Sequence, residues 1–247
     1  MSGTKSPFQK VPATEVLIVS HGQPSDPLAG ELYLNNLAQK VLRLLPDWNV
    51  CSVTLAAPGR LEHVLEKMRT PPMVFPFFMS DGWFVRKALP KRLGERRLQI
   101  LAPLGNLSDL PARTAKYLAQ QMENQRWSVE DTHVLLAAHG SASGPIPARC
   151  TREFADLLSQ HLAFKGISVG FLEQGPCLHE SARHTGPQSV LLPFFAGDGE
   201  HVVSDVPQAL ERAGYKGLCL PALGQLDFVP ELIAEHLLRV ASCKAAA

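Results

Sequence analysis

One pattern of residues occurs twice in this chain, at a nearly constant distance. The segment VLIVSHG, ending at His21-Gly22, returns as VLLAAHG, ending at His139-Gly140, and VFPFFMSDGWFVRKALP returns as VLLPFFAGDGEHVVSDVP. A third match pairs LAPLGNLSDLP with LPALGQLDFVP. The offsets are 118 from His21 to His139, 117 from Gly82 to Gly199 and 119 from Pro111 to Pro230. A period this long exceeds any solenoid repeat and marks a duplicated domain. The expected units are residues 1–125 and 126–247, and whatever one half folds into, the other must fold into as well.

Each half alternates short apolar runs with segments of helical periodicity. Strands are expected at 15–20, 50–55, 73–78 and 98–102, then at 133–138, 167–172, 189–194 and 218–221. Helices are expected at 28–45, 61–68, 84–93 and 110–122, then at 147–163, 178–184, 202–213 and 229–241. Asp109 is placed as the N-cap of the fourth helix, with Pro111 in its first turn. Strand and helix in alternation build a parallel sheet with helices on its faces. The expected fold is therefore α/β, with two tandem Rossmann-like or flavodoxin-like domains, each a mainly four-stranded parallel sheet flanked by helices. Residues 1–14 read as a loose arm and the Ala-rich tail as frayed.

Composition removes several classes of function. Lys and Arg number 24 against 23 Asp and Glu, so there is no bulk charge for nucleic acid or an anionic membrane surface. The five cysteines are odd in number and never form a CxxC pair, which argues against a disulfide framework or a thiolate zinc site and fits a reducing cytoplasm. The first residues lack the apolar core of a signal peptide, and no run approaches the ~18 apolar residues of a membrane span. The expectation is a cytoplasmic protein, monomer or homodimer.

The chemistry gathers at strand ends, where open α/β sheets bind ligands. In the second half His139 follows the first strand, Glu173 the second and His201 the third. Two neutral imidazoles and a carboxylate suit a borderline divalent ion such as Co²⁺, Fe²⁺, Ni²⁺ or Zn²⁺. Each histidine is equally open to a purely structural reading, as a hydrogen-bonded strand-end residue. The loop GSASGP, residues 140–145, precedes a helix, and Gly140, Ser141 and Ser143 either present donors to an anionic ligand or simply make the turn. The stretch Arg86, Lys87, Lys91, Arg92, Arg96 and Arg97 is either a solvated helix face or, through Arg86 or Lys87, a contact for substrate carboxylates. Phe77-Phe78 and Phe194-Phe195 read as core, and His63, His133, His161 and His236 as surface or packing residues. In the first half His21 is retained, but Phe84 stands opposite His201 and Ala56 opposite Glu173.

The HG after the first strand, the Glu after the second and the segment GDGEHVVSDVP resemble the class II tetrapyrrole chelatases. The similarity is to the long, two-domain form of the sirohydrochlorin cobaltochelatase and ferrochelatase group, and it extends over nearly the whole chain. It implies the chelatase-like fold and insertion of Co²⁺ or Fe²⁺, with Ni²⁺ as a further candidate, into sirohydrochlorin or a close relative, on the route to cobalamin or sirohaem. The metal is then a substrate, and no organic cofactor is called for. The resemblance implies that His139 and His201 bind the metal and take up pyrrole protons, with Glu173 as a further ligand or acid/base partner. Gly140, Ser141, Ser143, Gly199, Arg86, Lys87 and His21 are the positions expected to line the tetrapyrrole site, with the first half forming a wall or lid. The competing reading is a tetrapyrrole or metal carrier on the same fold. A hydrolase or transferase built on Ser141 would need a GxSxG elbow, which is missing here.

Overall fold

β1 (Glu15–Ser20) shows why the chain takes a layered form. Val16, Leu17, Ile18 and Val19 are all fully buried, and a strand apolar on both faces belongs at the centre of a sheet with helices on each side. In the computed structural model, which describes residues 14–96, 98–142 and 144–245, β1 indeed lies between β2 (Asn49–Thr54) and β3 (Met73–Pro76), with β4 (Gln99–Ile100) beyond. The second half repeats this with β5 (His133–Ala138), β6 (Gly166–Phe171), β7 (Ser189–Pro193) and β8 (Leu218–Cys219), in the order β6-β5-β7-β8. Every pairing is parallel. The order 2-1-3-4 is that of the flavodoxin-like sheets, whose switch point lies between the first and third strands.

The helices are α1 (Pro27–Leu44), α2 (Arg60–Lys67), α3 (Leu89–Leu93) and α4 (Leu110–Asn124), then α5 (Ile146–Ser159), α6 (Leu178–Arg183), α7 (Val206–Ala213) and α8 (Val229–Ala245). Alternating strand residues divide them into layers. Val16, Ile18, Met73 and Phe75 face one way and share a single core with Val134, Leu136, Val190 and Leu192 of the other sheet. Buried residues of α1, α4, α5 and α8 fill that core, which therefore lies between the two sheets. Leu17, Val19 and Val74 face outward onto α2 and α3, while Leu135, Ala137 and Leu191 face α6 and α7. The two repeated units are thus fused through their inner faces. Polar ties cross the same interface: Arg113 pairs with Glu231 at 3.2 Å and Glu235 at 2.5 Å, and Arg239 with Asp109 at 2.7 Å.

Several local expectations need correction. Asp109 occupies the N-cap position of α4 but makes no side-chain cap bond; its carboxylate accepts from Arg239 instead, and that bond holds its pKa below the usual carboxylate range. The edge strands β4 and β8 span two residues each. Pro103 and Pro221 follow closely and have no N–H to extend a ladder. The helices expected from 84 and from 202 begin with π-helical turns, Phe84–Ala88 and His201–Asp205, before continuing as α3 and α7. α8 runs on to Ala245, past the end expected for it. Of the arm expected over residues 1–14, residues 1–13 lie outside the described residues, as do the last two alanines, while Thr14 O accepts the Asn49 N–H at 2.9 Å. No helix among the described residues is long and apolar enough to cross a membrane.

Candidate functional site

His139 leaves the end of β5 and is followed by Gly140, whose φ is +74°. Only glycine adopts that conformation readily, and a Cβ there would lie 2.7 Å from Gln174 Cγ. Gly140 is therefore a structural requirement of the turn that follows His139. Gln174 Oε1 also accepts the Ser141 N–H at 2.8 Å, so Gly140 and Ser141 shape the loop. Ser143 lies outside the described residues.

His201 arrives from the other side of the switch point. β7 ends at Pro193, the loop 194–200 turns back, and the π-helical turn begins at His201 itself. Pro207 has no N–H to offer Val203, and the turn ahead of it opens to the wider pattern, with Val206 N–H donating to His201 O. Positions i and i+4 lie on one face of such a turn, and π turns are frequent at functional sites. This brings Asp205 Oδ2 within 2.6 Å of His201 Nδ1. Sequence reasoning missed Asp205 as a partner, although the His-x-x-x-Asp spacing was a usable signal. Gly199 lies in the loop just before, and its carbonyl accepts the Val202 N–H at 2.9 Å.

The two imidazoles meet edge to face, with ring centroids 4.3 Å apart at 89° and Nε2 atoms 2.9 Å apart. Their partners assign the tautomers. His201 Nδ1–H donates to Asp205, and His139 Nδ1–H faces Gly140 O at 3.2 Å. Each Nε2 is then left with a lone pair directed at the other, an arrangement satisfied by a shared proton or a cation. With metal–nitrogen bonds of ~2.05 Å, cis positions at 90° span ~2.9 Å and tetrahedral ones ~3.3 Å. The pair stands at hydrogen-bond distance, and to share an ion the two lone pairs must turn from each other towards one common point. Glu173, at the end of β6, places Oε2 at 3.4 Å from His139 Nδ1, on the side away from His201. Among the described residues no three His, Cys, Asp or Glu side chains converge as a ready-made metal site.

The first half reproduces this edge almost atom for atom. Gly22 has φ +73°, and the His21 and Phe84 rings meet at 4.2 Å and 85°. The Glu173 N–H donates to His139 O at 3.0 Å, and the Ala56 N–H to His21 O at 2.8 Å. Ala88 occupies the place of Asp205. The backbone has been kept, while the second imidazole and both carboxylates are gone. Arg86 is paired with Asp81 at 2.8 Å, and Lys87 is exposed. Arg92 instead donates to Leu55 O at 2.8 Å, tying α3 to the end of β2, and Arg97 lies outside the described residues. Of the other histidines, His133 opens β5 with its Nε2 2.9 Å from Ser168 Oγ, and His236 packs towards Phe75.

Reciprocal contacts bring the two edges to one seam. Tyr33 of α1 donates to Ala196 O at 3.1 Å, on the loop leading to His201, and to Gly224 O at 3.3 Å, just after β8. Gly197 makes room for it, since a Cβ there would stand 3.0 Å from the Tyr33 ring. In the mirrored position the Cys150 thiol of α5 contacts the Asp81 backbone and the Asn106 side chain. Each third-strand loop therefore rests on the first helix of the other half.

Comparison with known proteins bears on this geometry. The CbiX family profile matches residues 133–240, the half that holds both histidines. No curated protein matches the chain. Among solved structures, CbiX, described as the terminal enzyme for biosynthesis of siroheme in denitrifying bacteria, is 38% identical with a TM-score of 0.83. That alignment covers 91% of this chain and 98% of that one. SirB from Bacillus subtilis with Fe³⁺ shares the fold at 15% identity and a TM-score of 0.72, covering 95% of this chain and 98% of its own. The sirohydrochlorin chelatase SirB from Bacillus subtilis subspecies spizizenii, in complex with cobalt, shares it at 14% identity and a TM-score of 0.67, covering 93% and 96%. The two-sheet architecture and the 38% identity across nearly the whole length agree: the chain belongs to the CbiX family.

Proposed function

We propose that this protein is a chelatase that inserts a divalent metal ion, Co²⁺ or Fe²⁺, into sirohydrochlorin or a close relative, for sirohaem or cobalamin synthesis. The observation that carries this reading is the His139–His201 pair, with its Nε2 atoms 2.9 Å apart and its Nδ1 atoms tied to protein acceptors. A free-base macrocycle must lose two pyrrole protons as the ion enters, so the site must hold the ion loosely and accept protons. Imidazole does both near neutral pH. Two ligands leave most of the coordination sphere to water and then to pyrrole nitrogens, whereas a closed thiolate cage would retain the metal. Asp205 fixes the orientation of the His201 ring, as carboxylates behind metal-binding histidines do. Glu173 sits behind His139 and takes the role of acid/base partner there. Arg86 and Lys87 of the first half face the substrate carboxylates, and His21 lines the cleft wall. The five cysteines are unpaired thiols, in keeping with work in a reducing cytoplasm.

The test is turnover. Purified protein given sirohydrochlorin and Co²⁺ or Fe²⁺ should convert many equivalents, read from the visible spectrum, and His139→Ala or His201→Ala should lower the rate at least ~100-fold. Conversion that stops at one equivalent would make the protein a carrier, and two fully active variants would remove the histidines from the mechanism.

A further inference from the structure

The seam between the halves carries more exposed apolar surface than the chemistry above uses. Seven large hydrophobic side chains are exposed among the described residues, and four of them, Leu28, Leu32, Trp83 and Val203, stand on segments leaving the carboxyl ends of β1, β3 and β7. Trp83 is the most unusual, a tryptophan 66% exposed. Exposed apolar side chains on segments that leave one end of the sheets are candidates for a binding surface. The indole also has an aromatic neighbour. It meets Phe84 edge to face at 5.1 Å and 82°, and Phe84 in turn stacks on Phe78 at 6.0 Å and meets His21 at 4.2 Å. The replacement of a metal-binding histidine by Phe84 thus has a second effect, giving Trp83 an aromatic backing.

The corresponding position in the second half is Glu200, next to His201. The two third-strand loops have therefore diverged in complementary directions, one towards Trp-Phe and the other towards Glu-His. Arg86, itself paired with Asp81, and Lys87, which is exposed, lie three and four residues beyond Trp83 in the π-helical turn, on the same side of it. A flat apolar surface edged by cations fits a ligand with a flat apolar face and an anionic rim. A free-base tetrapyrrole bearing peripheral carboxylates has that form.

We propose that Trp83 is the stacking surface for the macrocycle, so that the first half binds the tetrapyrrole face while the second half handles the metal. This rests on the chelatase reading and assigns a substrate-binding role to the half that lost its own ligands. Aromatic stacking on an indole is a large share of the affinity for a flat ligand. Metal-free sirohydrochlorin titrated into the full chain should bind Trp83→Ala at least ~10-fold more weakly than wild type. Trp83→Phe should stay within ~3-fold of wild type, and Co²⁺ binding should be equal in all three. Wild-type affinity in Trp83→Ala would overturn the proposal and leave the chelatase reading standing. A wild-type protein that binds Co²⁺ but no macrocycle would overturn both. A loss of self-association in Trp83→Ala, with macrocycle affinity unchanged, would assign the surface to a second copy of the chain and equally overturn the proposal.

Discussion

The two sheet edges of this protein share one backbone and differ in what they can bind. At both, a left-handed glycine follows a histidine, a ring meets that histidine edge to face at just over 4 Å, and the second strand ends in the same hydrogen bond to its carbonyl. Yet the second half presents His201, Glu173 and Asp205 where the first presents Phe84, Ala56 and Ala88. The difference teaches that the fold holds the geometry without help from the functional side chains, so three substitutions can change the function of an edge at little structural cost. What the first half retains is support. Tyr33 reaches across to the loop of His201, whereas the mirrored contact is made by the smaller Cys150.

The comparison sharpens first at Asp205. If its carboxylate makes His201 a ligand, Asp205→Asn should weaken Co²⁺ binding and turnover ~10–100-fold with an unchanged melting temperature, since the side chain is half exposed. An equally active Asp205→Asn would make the His201–Asp205 bond incidental.

Next come two glycines that should behave alike in stability and unlike in function. A Cβ on Gly224 would lie 2.1 Å from Ala196 O, and one on Gly105 2.0 Å from Met79 O. Both alanine variants should lose on the order of 1–3 kcal/mol by overpacking, measured by denaturant unfolding. Only Gly224→Ala displaces the loop that carries His201, so metal binding should fall several-fold there and hold in Gly105→Ala. Equal functional losses would show that the halves depend on one another symmetrically.

The smallest effect is a pH dependence of stability away from both edges. Burial lowers the pKa of His133, with Lys165 adding to it, and burial followed by Arg239 lowers that of His236, whose Nε2 has no partner in the core. Both folded-state values lie below the ordinary histidine value of 6.5, so the unfolded chain binds more protons as pH falls through that window. The stabilising contribution is fully present above pH 6.5 and is lost progressively below it. Chemical unfolding at pH 7.5 and 5.5 should show this loss, and His236→Leu should reduce it.

Much of this could be read from the residues because the duplication supplied an internal control. Phe84 opposite His201 and Ala56 opposite Glu173 follow from alignment alone, and the ring and backbone geometries match them one for one. Asp205 lies four residues after His201, a spacing that makes neighbours on any helix, but spacing alone does not separate a histidine partner from a solvated carboxylate. The shared core escaped for another reason. Apolar runs such as residues 16–19 announce burial on both faces without naming the layer that covers each, so contact between Ile18 and Leu136 layers through α1 and α5 is a property of the assembled fold. Asp109 illustrates competition: a local capping signal lost to an arginine 130 residues away.

The central claim is one metal site per chain, built by the second half. Titration of Co²⁺ into the metal-free protein, followed by absorption and calorimetry, should give one specific ion per chain. The account predicts that this ion is lost in the His139→Ala/His201→Ala double variant and kept in His21→Ala. A second specific ion bound through His21, or binding that survives the double variant, would contradict it.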